Sequence, residues 1–204
     1  MAKLKAPLLS LGAAGAIGKS LVFFGWKGLD VVREYVVPSN PKSDAQIAQR
    51  ALITAAVAEI HDAMVYTDHN LTSADKSAYA LDGSLKPTPR TWFNQAVKIM
   101  VDAQIDAQDY FGVTDATCVY LAAATATVEV WSVLEAAATG FIKYGTSKAA
   151  LLNSIAADIA AHTFTGTLLA LTVGTTYYWQ WQATPVAGKK VCRSGIYTYK
   201  HEAP

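Results

Sequence analysis

Two cysteines, Cys118 and Cys192, and no C-x-x-C pair leave this 204-residue chain without a disulfide framework or a zinc pattern. Both are expected as buried thiols, and neither a metal nor a cofactor is expected. Charge is scarce too: 16% of residues are charged, and 17 basic against 16 acidic residues give a formal net charge of +1. Such totals cannot supply the dense basic stripe that a phosphate-backbone binder needs, so no nucleic-acid partner is expected. No apolar run approaches the ~20 residues of a bilayer-spanning helix, which argues against a membrane partner. The opening MAKLKAPLLSLGAAGAIGKSLV imitates a signal peptide, yet Gly12, Gly15 and Gly18 interrupt its apolar stretch, so cleavage is not expected. With neither a GxSxG elbow nor an HExxH pair, hydrolase chemistry has no foothold and no enzyme is expected.

What the chain does have is apolar residues, 52% of the total with a mean hydropathy of +0.20. That surplus is expected to meet other subunits as well as fill a core.

The surplus divides into two halves of different texture. Residues 1–112 alternate short β-like runs with helical periods, whereas 113–204 are rich in Thr, Val and Tyr. The spacing predicts an α+β N-terminal domain, a β-hairpin plus about three helices, followed by an all-β domain. Ser20–Phe24 and Val31–Val37 are β-branched and aromatic runs around GWKG, which reads as a hairpin. Ile47, Ala51, Leu52, Ala55, Ile60 and Met64 share one face of a helix over about 44–65. A short helix follows with Thr72 or Ser73 as cap. Thr88 or a neighbour caps a third, in which Trp92, Phe93, Ala96, Val97, Met100 and Val101 form the apolar face. In the second half, TYYWQWQA puts Tyr177, Trp179, Trp181 and Ala183 on an inward face, with Tyr178, Gln180 and Gln182 outward.

One motif invites a nucleotide reading. Within GAAGAIGKS, Ala13, Gly18, Lys19 and Ser20 fit a relaxed phosphate loop, with Asp102 at the end of VKIMVD as a magnesium-side carboxylate. Gly12, Gly15 and Gly18 also fit an epimerase-type dinucleotide turn, with Glu34 as the ribose acid. Both need the glycines to open a helix, but KSLVFFGWKG favours a strand, and no further βα units follow to complete a parallel sheet. A nucleotide-binding protein using Gly12–Ser20 therefore stands as the weakest alternative. His61, Asp62, Asp68 and His69 straddle a helix end and make a poor metal cluster.

Two family resemblances add expectations. LTVGTTYYWQWQA resembles the L-x-P-G-T-x-Y-x-x-x-V-x-A signature of fibronectin type III domains, with Val173 where proline is usual. The resemblance implies an immunoglobulin-like sandwich over 113–204, its core built on Trp131, Leu171, Tyr177, Trp179 and Trp181, with Tyr177 as the corner tyrosine. The string GAIGKSLVFFGWKGLDVVREYVVPSNPKSDAQIAQR resembles the opening of small proteins encoded in tailed-phage and prophage structural regions. Gly18, Trp26, Lys27, Gly28, Arg33, Pro38 to Ser43, Gln46, Gln49 and Arg50 carry it. It implies a non-enzymatic virion protein of the capsid surface, neck or tail, assembled in the host cytoplasm, with copies of itself and other virion proteins as partners.

The N-terminal half is then expected to dock on the particle and the sandwich to project outward. Phe23, Phe24, Trp26, Val31 and Val36 are the candidate assembly residues. The alternative is a binding module for a glycan or host cell surface, contacting its ligand through Tyr178, Tyr197 and Tyr199.

Overall fold

The computed structural model describes residues 2–4, 14–37, 39–40, 42–106, 113–132, 139–184, 187–188 and 190–203. It is a mixed α+β chain with a β-rich C-terminal part, and it divides into two compact units, Met1–Ser43 and Asp44–Pro204.

The first unit is one antiparallel sheet. Strands β1 (Ala2–Leu4), β2 (Gly15–Ile17), β3 (Leu21–Trp26) and β4 (Leu29–Glu34) lie in the order β1-β4-β3-β2. A two-residue turn, Lys27-Gly28, joins β3 to β4 with both residues at positive φ, 50° and 76°. That backbone matches the right-handed strand twist and is tolerated at little cost by the glycine.

The second unit opens with three helices, α1 (Asp44–Val65), α2 (Ser73–Ser84) and α3 (Trp92–Ile105). Helix α1 spans the expected residues, but of its expected face only Ile60 is buried and Leu52 half-buried, while Ile47, Ala51, Ala55 and Met64 are exposed; the buried stripe is Ala56, Ile60 and Ala63 instead. Helix α2 starts with a capping box: Thr72 Oγ1 accepts from Asp75 N–H while the Asp75 carboxylate accepts from Thr72 N–H. Helix α3 is capped by Thr91, which accepts from Asn94 N–H, not by Thr88. Thr88 lies in the bend before it, where Arg90 N–H donates back to Gly83 C=O.

Eight strands follow: β5 (Val113–Ala122), β6 (Thr125–Ser132), β7 (Gly140–Gly145), β8 (Asn153–Ala156), β9 (Asp158–Ala160), β10 (Thr163–Leu168), β11 (Thr176–Ala183) and β12 (Tyr197–Lys200). They form two antiparallel sheets, ordered β5-β6-β10-β9 and β12-β11-β7-β8. The sheets face each other across an apolar layer: the Phe164 ring lies 4.8 Å from that of Trp181, and a Cβ at Gly166 would come within 2.6 Å of the Ile142 side chain.

The inward face of β11 is the expected one, with Tyr177, Trp179, Trp181 and Ala183 buried; Leu171 is buried as well. Trp131 differs from expectation. Alternation on β6 sends Ala126, Val128 and Val130 inward, so Trp131 stands on the opposite face, half-buried against other rings. Gln180, expected to be solvated, is buried. The segment before β12 runs alongside β11, where Gln180 Nε2 donates to Ser194 C=O at 2.7 Å.

The helices and the two sheets share one core, so the boundary expected at 112/113 falls inside the second unit. Residues 107–112 at that joint lie outside the described residues. The physical reason is Asp75. Its fully buried carboxylate accepts from Asp115 N–H (3.0 Å) and Ala116 N–H (3.3 Å) on β5 and from Tyr197 Oη (2.8 Å) on β12. Strands β5 and β12 are the edge strands of their sheets, so the first turn of α2 joins the two edges through one side chain.

Candidate functional site

The expected assembly residues all lie on the N-terminal sheet or just beyond it. Register pairs Phe23 with Val32 and Phe24 with Val31, so Leu21, Phe23 and Val32 share one face while Val22, Phe24, Trp26, Leu29 and Val31 share the other. The first face also carries Asp30 and Glu34 and the second carries Arg33, so both are mixed, with the larger apolar cluster on the face of Val22, Phe24, Trp26, Leu29 and Val31. Only Phe23 and Val31 are buried, one on each face; Phe24 is half-buried beneath the Arg33 guanidinium, 5.5 Å from its ring.

The rest stays in water. Trp26 is 54% exposed and Val36 69%, with Ile17, Leu21, Leu29, Tyr35 and Val37 also exposed. Fully covering one such large side chain is worth roughly 1.5–3 kcal/mol, so the group together carries several kcal/mol of unspent hydrophobic driving force. A unit of this size is also near the lower limit at which a chain segment closes a core by itself.

The glycine motif belongs to this sheet. Gly15 and Ile17 are the ends of β2, and Gly18 to Ser20 form the turn into β3, with Gly18 at φ 55°. No helix follows Lys19 and Ser20, so no helix N-terminus stands behind them to receive a phosphate. Gly12 and Ala13 lie outside the described residues. The proposed magnesium-side carboxylate, Asp102, sits on helix α3 instead of at a strand end.

The ionisable candidates of the second unit disperse into structural roles. His69 Nδ1 lies 2.8 Å from Asp115 Oδ2, and its ring stacks on Trp131 at 4.7 Å. His61 meets only the edge of Phe93, and no group of three or more His, Cys, Asp or Glu residues gathers among the described residues. Neither Cys118 nor Cys192 is in a disulfide; burial pushes the Cys118 thiol up to about 12, which leaves it protonated and unreactive near neutrality. Asp102 accepts from Lys98 and Lys190. Burial alone would raise its carboxyl, but those two hydrogen bonds outweigh it and hold the group below its ordinary value.

The tyrosines expected to face a glycan do not act together. Tyr197 is buried, stacked on Trp179 at 4.4 Å and bonded to Asp75; burial first, then the neighbouring carboxylate, hold its phenol well above the ordinary value. Tyr178 and Tyr199 are half-buried and lie on opposite faces of their sheet, because Tyr199 pairs with Tyr177.

No protein-family model matches the chain, and no curated protein sequence matches it. Similar solved structures include one described as "Myokine structure", 21% identical over 44% of this chain and 94% of that one, with a TM-score of 0.35. Another, described as "Crystal structure of Br derivative BhCBM56", is 12% identical over 43% of this chain and 90% of that one, with a TM-score of 0.32. Likenesses of this size carry no argument about function.

Proposed function

We propose that this chain is a non-enzymatic structural protein of a tailed-phage particle, whose N-terminal sheet binds copies of the same sheet on neighbouring subunits while the second unit stands at the particle surface. The observation that carries the assembly half of this reading is the set of large apolar side chains left exposed on the β1–β4 sheet and just after it, Leu21, Trp26, Leu29 and Val36. The setting rests on the resemblance of residues 15–50 to phage structural-region proteins. A closed symmetric array is the ordinary outcome when one surface pairs with itself or with its neighbour in a ring.

Within the same proposal, residues 113–204 form an immunoglobulin-like sandwich of the fibronectin type III kind. Two observations support it. The strand orders β5-β6-β10-β9 and β12-β11-β7-β8 parallel the A-B-E-D and G-F-C orders of that class, and Thr172 N–H donates to Tyr177 Oη at 2.9 Å, the bond of a tyrosine corner. The alternative of a glycan or cell-surface site on Tyr178, Tyr197 and Tyr199 is weakened by the burial of Tyr197.

The test is sedimentation of the full-length chain beside the double variant Trp26→Glu and Leu29→Glu, with electron microscopy of both. The wild type is expected to form discrete oligomers or arrays, and the variant to sediment as a monomer with unchanged melting of the second unit. A wild type that remains monomeric at high micromolar concentration would sink the assembly reading. Mass spectrometry of purified particles from the source phage or prophage tests the setting: absence of the chain from them removes the virion assignment.

A further inference from the structure

A cleft of about 390 Å³ opens on the second unit between the C-terminal end of α2 and the outer face of strands β7 and β11, within the size range of small-ligand sites. Four cationic side chains line it, Lys86, Lys143, Lys148 and Arg193, against one carboxylate, Asp82. That carboxylate is spent. It is nearly fully buried and accepts from Lys86 Nζ at 2.8 Å and Gln95 Nε2 at 2.6 Å, with Arg193 at 3.6 Å. Lys143 and Lys148 have no acidic partner among the described residues. Lys143 is also half-buried, on β7 directly opposite Gln180. In a chain whose whole net charge is +1, this places a surplus of three positive charges in one concavity.

The remaining polar groups are two amides held in fixed order. Gln180 donates to Ser194 C=O, and Gln182 Nε2 donates to Gln180 Oε1 at 2.8 Å, which leaves the Gln182 carbonyl oxygen as an acceptor. Among the described residues no aromatic ring lines the cleft; its apolar wall includes Leu85, Leu151 and Ile196. A nucleobase would find nothing to stack on, and a neutral sugar would lack the aromatic platform such ligands use. A ligand with a carboxylate for the lysines, hydroxyls for the glutamine acceptor and an aliphatic ring face for the leucines satisfies every group present.

We propose that this cleft binds an acidic saccharide, its carboxylate held by Lys143 and Lys148 and a ring hydroxyl by Gln182. The site is independent of the assembly sheet, so its failure and that of the assembly reading are separable. The probe is tri-galacturonate, titrated calorimetrically into the full-length chain at low ionic strength, beside its methyl ester and inorganic phosphate. Saturable binding is expected for the acid, weakening steeply with added salt. It should fall at least tenfold in the double variant Lys143→Ala and Lys148→Ala, whose melting temperature should match the wild type since neither side chain has an ion pair among the described residues. A second variant, Gln182→Leu, should weaken the saccharide without changing any binding of phosphate. No saturable binding to the wild type, equal binding by the double variant, or equal binding of the methyl ester would each overturn the proposal. Phosphate binding as tightly as the trisaccharide would overturn it too, because the cleft would then read charge alone.

Discussion

Replacing Asp75 by alanine tests whether helices and sheets are one cooperative body. The carboxylate is 0% exposed and accepts from five donors: Thr72 N–H, Thr72 Oγ1, Asp115 N–H, Ala116 N–H and Tyr197 Oη. Alanine strands all five. Thr72, Asp115 and Ala116 are half-buried, so their donors recover water in part, whereas Tyr197 is enclosed. A stranded buried donor costs about 1–3 kcal/mol, so one of them with partial losses at the other four gives about 3–5 kcal/mol. That is a large share of the 5–15 kcal/mol typical of a domain. The assay is urea unfolding of the full-length chain, followed by far-ultraviolet circular dichroism for the helices and by tryptophan fluorescence for the sheets. The midpoint should fall at constant slope, and both signals should move together. Tyr197→Phe alone should cost about 1 kcal/mol, and much less when Asp75 is already alanine, because the two share one bond. A loss below about 1 kcal/mol for Asp75→Ala, or separate helical and sheet transitions, would refute the reasoning.

Other outcomes follow from single contacts. Tyr177→Phe removes the acceptor of Thr172 N–H and should lower stability by roughly 1–2 kcal/mol without changing the oligomeric state; equal melting temperatures would contradict it. Gly195→Ala should be far worse, at least about 3 kcal/mol, because the added Cβ would lie 2.5 Å from the Ala78 and Tyr79 backbone of α2, which cannot yield as a side chain could; a soluble variant with wild-type melting would rule this out. Asp102 has a lowered folded pKa, so the stability it contributes is present above the unfolded value of about 3.9 and disappears as pH falls through the folded one. The melting gap between wild type and Asp102→Asn should therefore close on acidification below about pH 4, and a gap that widens there would reverse the assignment.

Local elements were legible because local rules decide them. Helix α1 runs over the residues its period indicates, Thr72 caps α2, and strand β11 buries the alternate residues that its aromatic pattern marks. Trp131 misleads for an instructive reason. Its position in the strand fits a core tryptophan, but the inward positions of β6 are already taken by Val128 and Val130, and the helical segment supplies Tyr66 and His69 to cover the indole from the other side, at 5.4 and 4.7 Å. The alternation of β6 itself puts Trp131 with Thr127 and Glu129, opposite Val128 and Val130; the core expectation for it comes from the family resemblance, not from the strand pattern. Gln180 is the converse case: a polar residue at an outward position is buried because a neighbouring segment satisfies its amide.

The unit boundary fails for the same kind of reason, and Asp75 shows why. In sequence, Thr72 and Asp75 read as a local capping box, a complete explanation for both residues. Nothing in a four-residue motif announces that the same carboxylate also reaches backbone donors about 40 residues away and a tyrosine hydroxyl 122 residues away. Composition changes sharply near residue 112, and composition is what a boundary is ordinarily read from. Cohesion, however, is set by where buried polar groups find partners. A carboxylate whose five donors come from a helix cap and from the edge strands of two sheets makes separation of those elements costly wherever the composition changes. On the sheet of residues 1–43, Leu21, Trp26 and Leu29 stay exposed, and they are the surface that the proposed assembly would cover.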